Sequence, residues 1–305
     1  MNASYPCCQR AHRWAWVLVL CMLPPIDRTS RIPELARAMT QQPEIFVESD
    51  AYERFMGRWS RRLAPLLVKF ASVDERDVVL DVGSGTGALA FAMAGAMPSV
   101  RVTGVDPSAG YVRYAQGRTR SDRVRFFVGD AQALQLPDAT FDKTLSLLVI
   151  NFIPDPAKAL REMIRVTRPG GVVAAAVWDY GEGMEMLRVF WDEAVALDPT
   201  IAVRDERNMP LSKRGELAAL WRAQGLQQVD EQPIAIEMSF VSFDDYWSPF
   251  LGGQGPAGAY AASLSQTARV ALESRIRRRL LGARQEGAFT VQARAWAVKG
   301  VVPPR

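Results

Sequence analysis

Cysteine and histidine are nearly missing from this 305-residue chain: Cys7, Cys8, Cys21 and His12 all fall within the first 21 positions. Neither residue type occurs from Met22 to Arg305. The main body therefore has no Ser-His-Asp triad, Cys-His nucleophile, Cys/His zinc site or H-E-x-x-H metalloprotease. Its chemistry falls to carboxylates, hydroxyls, amides, backbone groups or a cofactor, and no metal is expected. A one-sided charge is missing as well, although the pI of about 9.1 invites a nucleic-acid reading. Residues 1–38 hold five Arg against Asp27 and Glu34, which leaves 32 basic and 31 acidic residues in the rest. With 49% apolar and 23% charged residues and no internal repeat, the composition is that of a soluble globular protein.

Residues 1–44 read as a leader outside the domain. An apolar run, Trp14 to Leu23, is followed by Pro24-Pro25 and a polar stretch that reaches Ala36-Arg37-Ala38 before Met39. Ten apolar residues are half of the about 20 that a membrane-spanning helix needs, so no stable span is expected. Three readings stay open: an over-extended reading frame upstream of Met39, a secretory signal with an A-x-A site, and a disordered tail. A body without cysteine fits the cytoplasm.

Residues 45–305 read as one α/β domain. Apolar positions Tyr52, Phe55, Met56, Trp59, Leu63, Leu66, Leu67 and Phe70 recur at three- and four-residue spacing, predicting one or two amphipathic helices over 48–70. Strands are predicted at 78–82, 101–106, 124–130, 141–150 and 172–178, alternating with helices at 88–97, 109–118 and 156–167. Strands that are apolar throughout and alternate with helices mean a parallel sheet covered on both faces. After Asp179 the pattern changes to helices at 184–197, 213–224 and 264–281, with strands at 227–240 and 288–299. These two strands are expected to pair antiparallel at the edge of the same sheet. The expectation is a doubly wound, mostly parallel seven-stranded sheet, with a cofactor-binding core over 77–180, acceptor-side elements over 181–305 and a helical lid insertion near the C-terminus.

The strongest motif is LDVGSGTGA over 80–88, where Gly83, Gly85 and Gly87 close an apolar strand and open a helix. Glycines there let backbone pass close to a ligand, and the helix N-terminus adds donors. The same residues satisfy a dinucleotide fingerprint with Ala88 in third place, so an NAD-dependent oxidoreductase is a rival. Asp106 ends the second strand, Gly129-Asp130-Ala131 the third, and LQLPDATFD and IPDPAKALREMIRVTRPGG follow in order. In these ordered motifs residues 45–180 resemble the class I S-adenosylmethionine-dependent methyltransferases, in the branch of the ubiquinone/menaquinone C-methyltransferases.

The resemblance implies S-adenosylmethionine as cofactor and a role for each matching residue. Asp81 would orient the loop near the amino end of methionine, and Gly83, Ser84, Gly85 and Gly87 would wrap the amino acid and ribose. Asp106 would bind the ribose hydroxyls, with Pro107 or Ser108 beside the adenine. Asp130 and the Ala131 backbone would hold the adenine amine edge, and Leu147 and Leu148 would lie beside the methionine. Tyr52 and Arg58 resemble the part that closes over the cofactor. Plainer roles stand beside these: a helix cap for Asp106 and Asp130, packing and surface charge for Tyr52 and Arg58, and a turn for Asp142. The sequence departs from the family where Asn151-Phe152 replaces a frequent His pair, which leaves proton transfer without histidine. Tyr52, Asp179, Tyr180 and Glu182 are the remaining candidates for proton removal; Asp179 and Tyr180, after the fifth strand, rank first, with loop capping as the alternative.

Arginines crowd the helix over 268–284, but Leu264, Ala268, Leu272, Ile276 and Leu280 form an i,i+4 stripe that makes them its solvated face. Nucleic acid is therefore not the expected partner. Trp178, Trp191, Phe243, Trp247 and Phe250 are either core or the lining of an acceptor pocket. The expected function is methyl transfer to a small, apolar or aromatic acceptor. An RNA or protein methyltransferase and a non-catalytic S-adenosylmethionine-binding protein are the alternatives.

Overall fold

The computed structural model describes residues 49–284 and 286–304, so the expected leader lies outside the described residues. The strands are β1 (Val78–Val82), β2 (Arg101–Asp106), β3 (Val124–Val128), β4 (Phe141–Leu147), β5 (Thr167–Trp178), β6 (Gln227–Phe240) and β7 (Phe289–Val301). They form one seven-stranded sheet in the order β3-β2-β1-β4-β5-β7-β6. The first five run parallel, and β7 lies antiparallel between β5 and β6. The order reverses beside β1, whose neighbours are β2 and β4, and a crevice at such a reversal is where open α/β sheets bind ligands.

The helices are α1 (Ser49–Tyr52), α2 (Arg58–Phe70), α3 (Ala88–Ala96), α4 (Ala109–Arg118), α5 (Pro156–Val166), α6 (Glu185–Leu197), α7 (Glu216–Ala223), α8 (Phe243–Trp247), α9 (Gly255–Ser263) and α10 (Gln266–Leu281). A π-helical turn, Glu53–Gly57, joins α1 to α2. The predicted amphipathic spacing is realised in α2, where Trp59, Leu63 and Leu67 are buried. Helix α5 starts where sequence chemistry places it: the Asp155 side chain accepts from the Lys158 amide at 2.8 Å and Pro156 takes the first turn. Val79, Leu80, Leu145 and Val173 to Val177 are fully buried, as strands covered on both faces require. Among the described residues no helix is long and apolar enough to cross a membrane.

Several boundaries differ from the sequence expectation. β4 stops at Leu147 rather than Ile150, because Leu148 takes a left-handed conformation with φ 62° that no strand continues. β5 begins at Thr167 rather than Val172, and a register shift between Phe141 and Lys143 absorbs Pro169-Gly170-Gly171. The Gly-rich residues 252–258 run into α9. Pro256 sits in the first turn of α9, where a missing N–H costs nothing. The five aromatic residues with two possible roles are core, since Trp178, Trp191, Phe243, Trp247 and Phe250 are each at most 3% exposed. Phe190 stacks on Phe250 at 4.7 Å and Trp191 on Tyr260 at 5.7 Å. Ring pairs of this kind add about 0.5–1.5 kcal/mol each beyond the area they bury.

Candidate active site

The turn after β1 is folded back over the end of β2. The amides of Gly83 and Ser84 both donate to the Val105 carbonyl, at 2.8 and 3.1 Å, and the Gly87 amide donates to the Ser84 carbonyl at 2.8 Å. Gly83 has φ 73°, and a Cβ there would stand 2.4 Å from Val149 Cγ1. The strained Leu148 turns the chain at the end of β4, with its amide on the Ala176 carbonyl at 2.8 Å, and so sets Val149 against the glycine turn. Left-handed non-glycine residues of this kind cost about 1–3 kcal/mol and cluster at functional sites. Gly85 differs from Gly83: its φ is 51°, but no heavy atom of the described residues lies within 4 Å of a Cβ placed there.

Asp106 ties this turn to the next loop. Its Oδ2 accepts from the Gly85 amide and its Oδ1 from the Ser108 amide, both at 2.9 Å. Burial raises its carboxyl above the ordinary value, and the two amides oppose that rise. A carboxylate offers about four lone-pair sites, so two remain for a ligand with vicinal hydroxyls. Ser108 is partly used, since its hydroxyl caps α4 by accepting from Tyr111 N at 3.3 Å, while Pro107 is exposed at the rim.

Asp81 is 1% exposed, and neither of its carboxylate oxygens has a hydrogen-bond partner of good geometry among the described residues. Burial pushes its carboxyl up to about 8; the Ala90 amide pulls the other way and Asp106 adds to the rise. The hydroxyls of Ser84, Thr86 and Tyr111 are likewise buried without partners among the described residues. Buried polar atoms are nearly always paired, so this concentration beside one glycine turn fits a polar ligand laid across it.

Other expected site residues sit around this centre. Tyr52 reaches it, with its hydroxyl 3.2 Å from Ser60 Oγ and its ring 5.5 Å from that of Tyr111. Burial pushes the Tyr52 phenol up to about 12, and Glu53 and Asp106 add to that rise. Leu147 and Leu148 are buried at the β4 end. Asp130 is exposed and folds its own turn, accepting from the Gln132 amide at 2.8 Å, with half-buried Ala131 between them.

Arg58 is not brought to this centre. Its guanidinium pairs with Asp245 at 2.7 Å and lies over the rings of Trp59 and Phe240, tying α2 to α8. Asp179 also has a structural duty: Arg294 Nε donates to its Oδ2 at 2.9 Å, and the Glu182 amide to its Oδ1 at 3.0 Å. Asp179→Asn should therefore lower stability by about 1–3 kcal/mol through the lost charge-assisted bonds, and thermal unfolding reads that loss. Asp142 serves the turn, accepting from the Val78 amide at 2.8 Å and pairing with Arg168 at 2.7 Å. The arginines of α10 are largely spent on partners. Arg275 meets Glu193 at 2.7 Å, Arg279 meets Asp192 at 3.0 Å and Arg277 meets Glu286 at 2.5 Å.

Sequence reasoning passed over Glu206, which is 5% exposed and accepts from the Trp191 indole at 2.7 Å. Burial raises its carboxyl to about 7. Nothing in DERN, residues 205–208, separates it from its charged neighbours, because its burial comes from tertiary packing alone.

A family model described as a methyltransferase domain matches residues 80–175. The chain is 35% identical over 118 residues to a 2-methyl-6-phytyl-1,4-hydroquinone methyltransferase of Synechocystis, covering 38% of this chain and 37% of that one. It is 38% identical over 118 residues to a ubiquinone/menaquinone biosynthesis C-methyltransferase of Bdellovibrio bacteriovorus, covering 38% of this chain and 49% of that one. The chain thus spans less than half the length of these two curated relatives. Among solved structures, a Haemonchus contortus phosphoethanolamine N-methyltransferase 2 in complex with S-adenosyl-L-methionine superposes with TM-score 0.53. It is 21% identical and is covered over 88% of this chain and 60% of that chain, a likeness of fold. The matched segment runs from within β1 to within β5 and carries the glycine turn, and over it the chain is similar to class I S-adenosylmethionine-dependent methyltransferases.

Proposed function

We propose that this chain transfers the methyl group of S-adenosylmethionine to a small, apolar or aromatic acceptor. The observation that carries the reading is the cradle at the β1/β4 crevice. There an open glycine turn, a twice-anchored Asp106 and a buried Asp81 meet. When bound, S-adenosylmethionine supplies a sulfonium methyl group that is already a strong electrophile. The chain's own residues mainly bind and align: Asp106 takes the ribose hydroxyls, Asp81 faces the amino end, and Tyr52 covers the site from α1. Positioning of this kind can account for about 7–11 kcal/mol of barrier reduction. The names of the two quinone-pathway relatives support an apolar, aromatic acceptor. The paired arginines of α10 weigh against an RNA acceptor. Incubation with radiolabelled methyl donor and a panel of small aromatic acceptors tests the reading: label should pass to a small molecule, and label found only in RNA or protein would redirect it.

Asp81 adds a pH signature. Held near pKa 8 in the free protein, it must lose its proton to face an ammonium group. Affinity for S-adenosylhomocysteine should therefore rise with pH up to about 8 and level off above it. In Asp81→Asn that slope should be gone. Calorimetry in buffers of different ionisation heat reads the released proton directly.

A further inference from the structure

Outside the glycine-turn crevice, a cavity of about 240 Å³ is walled by α6, α10 and the start of β7. Pockets for drug-sized ligands run to about 300–1,000 Å³, so this one suits a smaller molecule. Val189, Leu280, Phe289 and Val291 give it an apolar wall. Glu185 and Arg188 supply opposite charges from one face of α6, three residues apart. Side chains at that spacing are neighbours and commonly pair, yet among the described residues no ion pair joins these two. Each is drawn aside by another partner. Glu185 Oε2 accepts from the Gln292 amide of β7 at 2.7 Å. Both Nη atoms of Arg188 donate to the Asp205 carboxylate, Nη1 at 3.2 Å.

The other edge of the Arg188 guanidinium is left over. Arg188 is 7% exposed, and its Nε has no partner among the described residues. A guanidinium carries its five N–H donors in a planar fork, so Nε and the second hydrogen of Nη2 form a side edge shaped for a carboxylate. Asp205 does not cancel this charge alone, because it is shared with Arg207, whose Nε lies at 2.6 Å. Arg279, the other cation of the lining, is spent on Asp192 and Glu193. The free edge of β7 adds a backbone donor. Beyond the Trp178–Ala295 pair β5 no longer covers it, and there the Arg294 amide donates to the Gly183 carbonyl at 2.9 Å and the Gln292 amide to Glu185. Backbone groups of alternate strand residues face the same edge, so the Thr290 amide faces the cavity that Thr290 lines.

We propose that this cavity binds a zwitterionic α-amino acid with an apolar side chain. The ligand's carboxylate takes the side edge of Arg188 and the Thr290 amide, and its ammonium group takes Glu185 Oε1. Its side chain lies against Val189, Leu280, Phe289 and Val291. Opposite charges on neighbouring positions of one helix face match two charged groups carried on one carbon. A carboxylate without an amine would leave Glu185 facing an anion, and an amine without a carboxylate would leave the Arg188 edge unpaired. The inference is independent of the methyl-donor reading, since none of the lining residues belongs to the glycine-turn crevice.

Calorimetric titration of the full chain with L-phenylalanine tests it. Wild type should bind at one site, and 3-phenylpropionate and phenethylamine, each lacking one charged group, should bind at least about tenfold more weakly. Arg188→Lys keeps the charge facing Asp205 and loses the planar edge, and Glu185→Gln loses the anion. Each should weaken L-phenylalanine by about ten- to a hundredfold. Leu280→Trp, which fills the cavity, should abolish binding. All three variants should bind S-adenosylhomocysteine as wild type does. If Arg188→Lys fails to fold, the other two variants decide. A wild type that gives no heat with L-phenylalanine overturns the proposal, as does equal affinity for 3-phenylpropionate or unchanged affinity in Glu185→Gln and Leu280→Trp. Loss of L-phenylalanine and S-adenosylhomocysteine in step would mean one shared site and also overturns it. A wild type that binds L-phenylalanine as expected but not S-adenosylhomocysteine overturns the methyl-donor reading and leaves this site standing.

Discussion

Asp106→Ala should lose ten- to a hundredfold of the affinity for S-adenosylhomocysteine. The carboxylate does two things at once. It accepts the Gly85 and Ser108 amides at 2.9 Å, and it keeps two lone-pair sites for ribose hydroxyls. A hydrogen bond to a charged group contributes about 1.5–3 kcal/mol, and about 1.4 kcal/mol is a factor of ten. The loss should appear in calorimetric titration of the folded variant. Asp106→Asn, which keeps one acceptor oxygen, should fall between wild type and Ala. Equal affinity in Asp106→Ala and wild type would reduce Asp106 to a loop tie.

The second large effect separates two glycines of the same turn. Gly83→Ala places a Cβ 2.4 Å from Val149 Cγ1 at φ 73°, against a β-branched side chain held by the strained Leu148. Overpacking of about 1–3 kcal/mol adds to a left-handed cost of about 1–2 kcal/mol, so this variant should melt well below wild type. Gly85→Ala meets no heavy atom of the described residues and bears only the conformational cost at φ 51°. Its stability should drop by about 1 kcal/mol, while its affinity for S-adenosylhomocysteine should collapse, because its methyl fills the open space that the proposed ligand would occupy. Thermal melts and calorimetry on the two variants check both halves. A Gly85→Ala chain that binds normally would mean that the ligand passes elsewhere.

The cofactor half of the molecule was legible because its signals are local. VVLDV announces a strand covered on both faces, three glycines in five residues announce a turn, and an acid at the end of β2 needs no partner distant in sequence. The acceptor half depends on contacts that spacing does not carry. Arg58 finds Asp245 187 positions away, and Arg294 finds Asp179 115 positions away. Both pairings give expected site residues a structural duty. The end of β4 differs for a related reason: Leu148 takes a left-handed conformation and Val149 lies against the Gly83 turn, a contact that spacing does not carry. Spacing reads the α10 arginines as a solvated face. Their aqueous face is instead largely paired with Asp192 and Glu193 on α6, a tertiary arrangement. Glu206 is not legible in the sequence because it and Asp205 are equally buried, and only the tertiary ion pairs of Asp205 tell the two apart.

The central claim is that the β1/β4 crevice is a methyl-donor site. The measurement that tests it most directly is calorimetric titration of the wild-type chain with S-adenosylhomocysteine and, separately, with NAD, since one glycine fingerprint fits both ligands. The account predicts one micromolar site for S-adenosylhomocysteine and no heat from NAD. Tight binding of NAD with none of S-adenosylhomocysteine would contradict it.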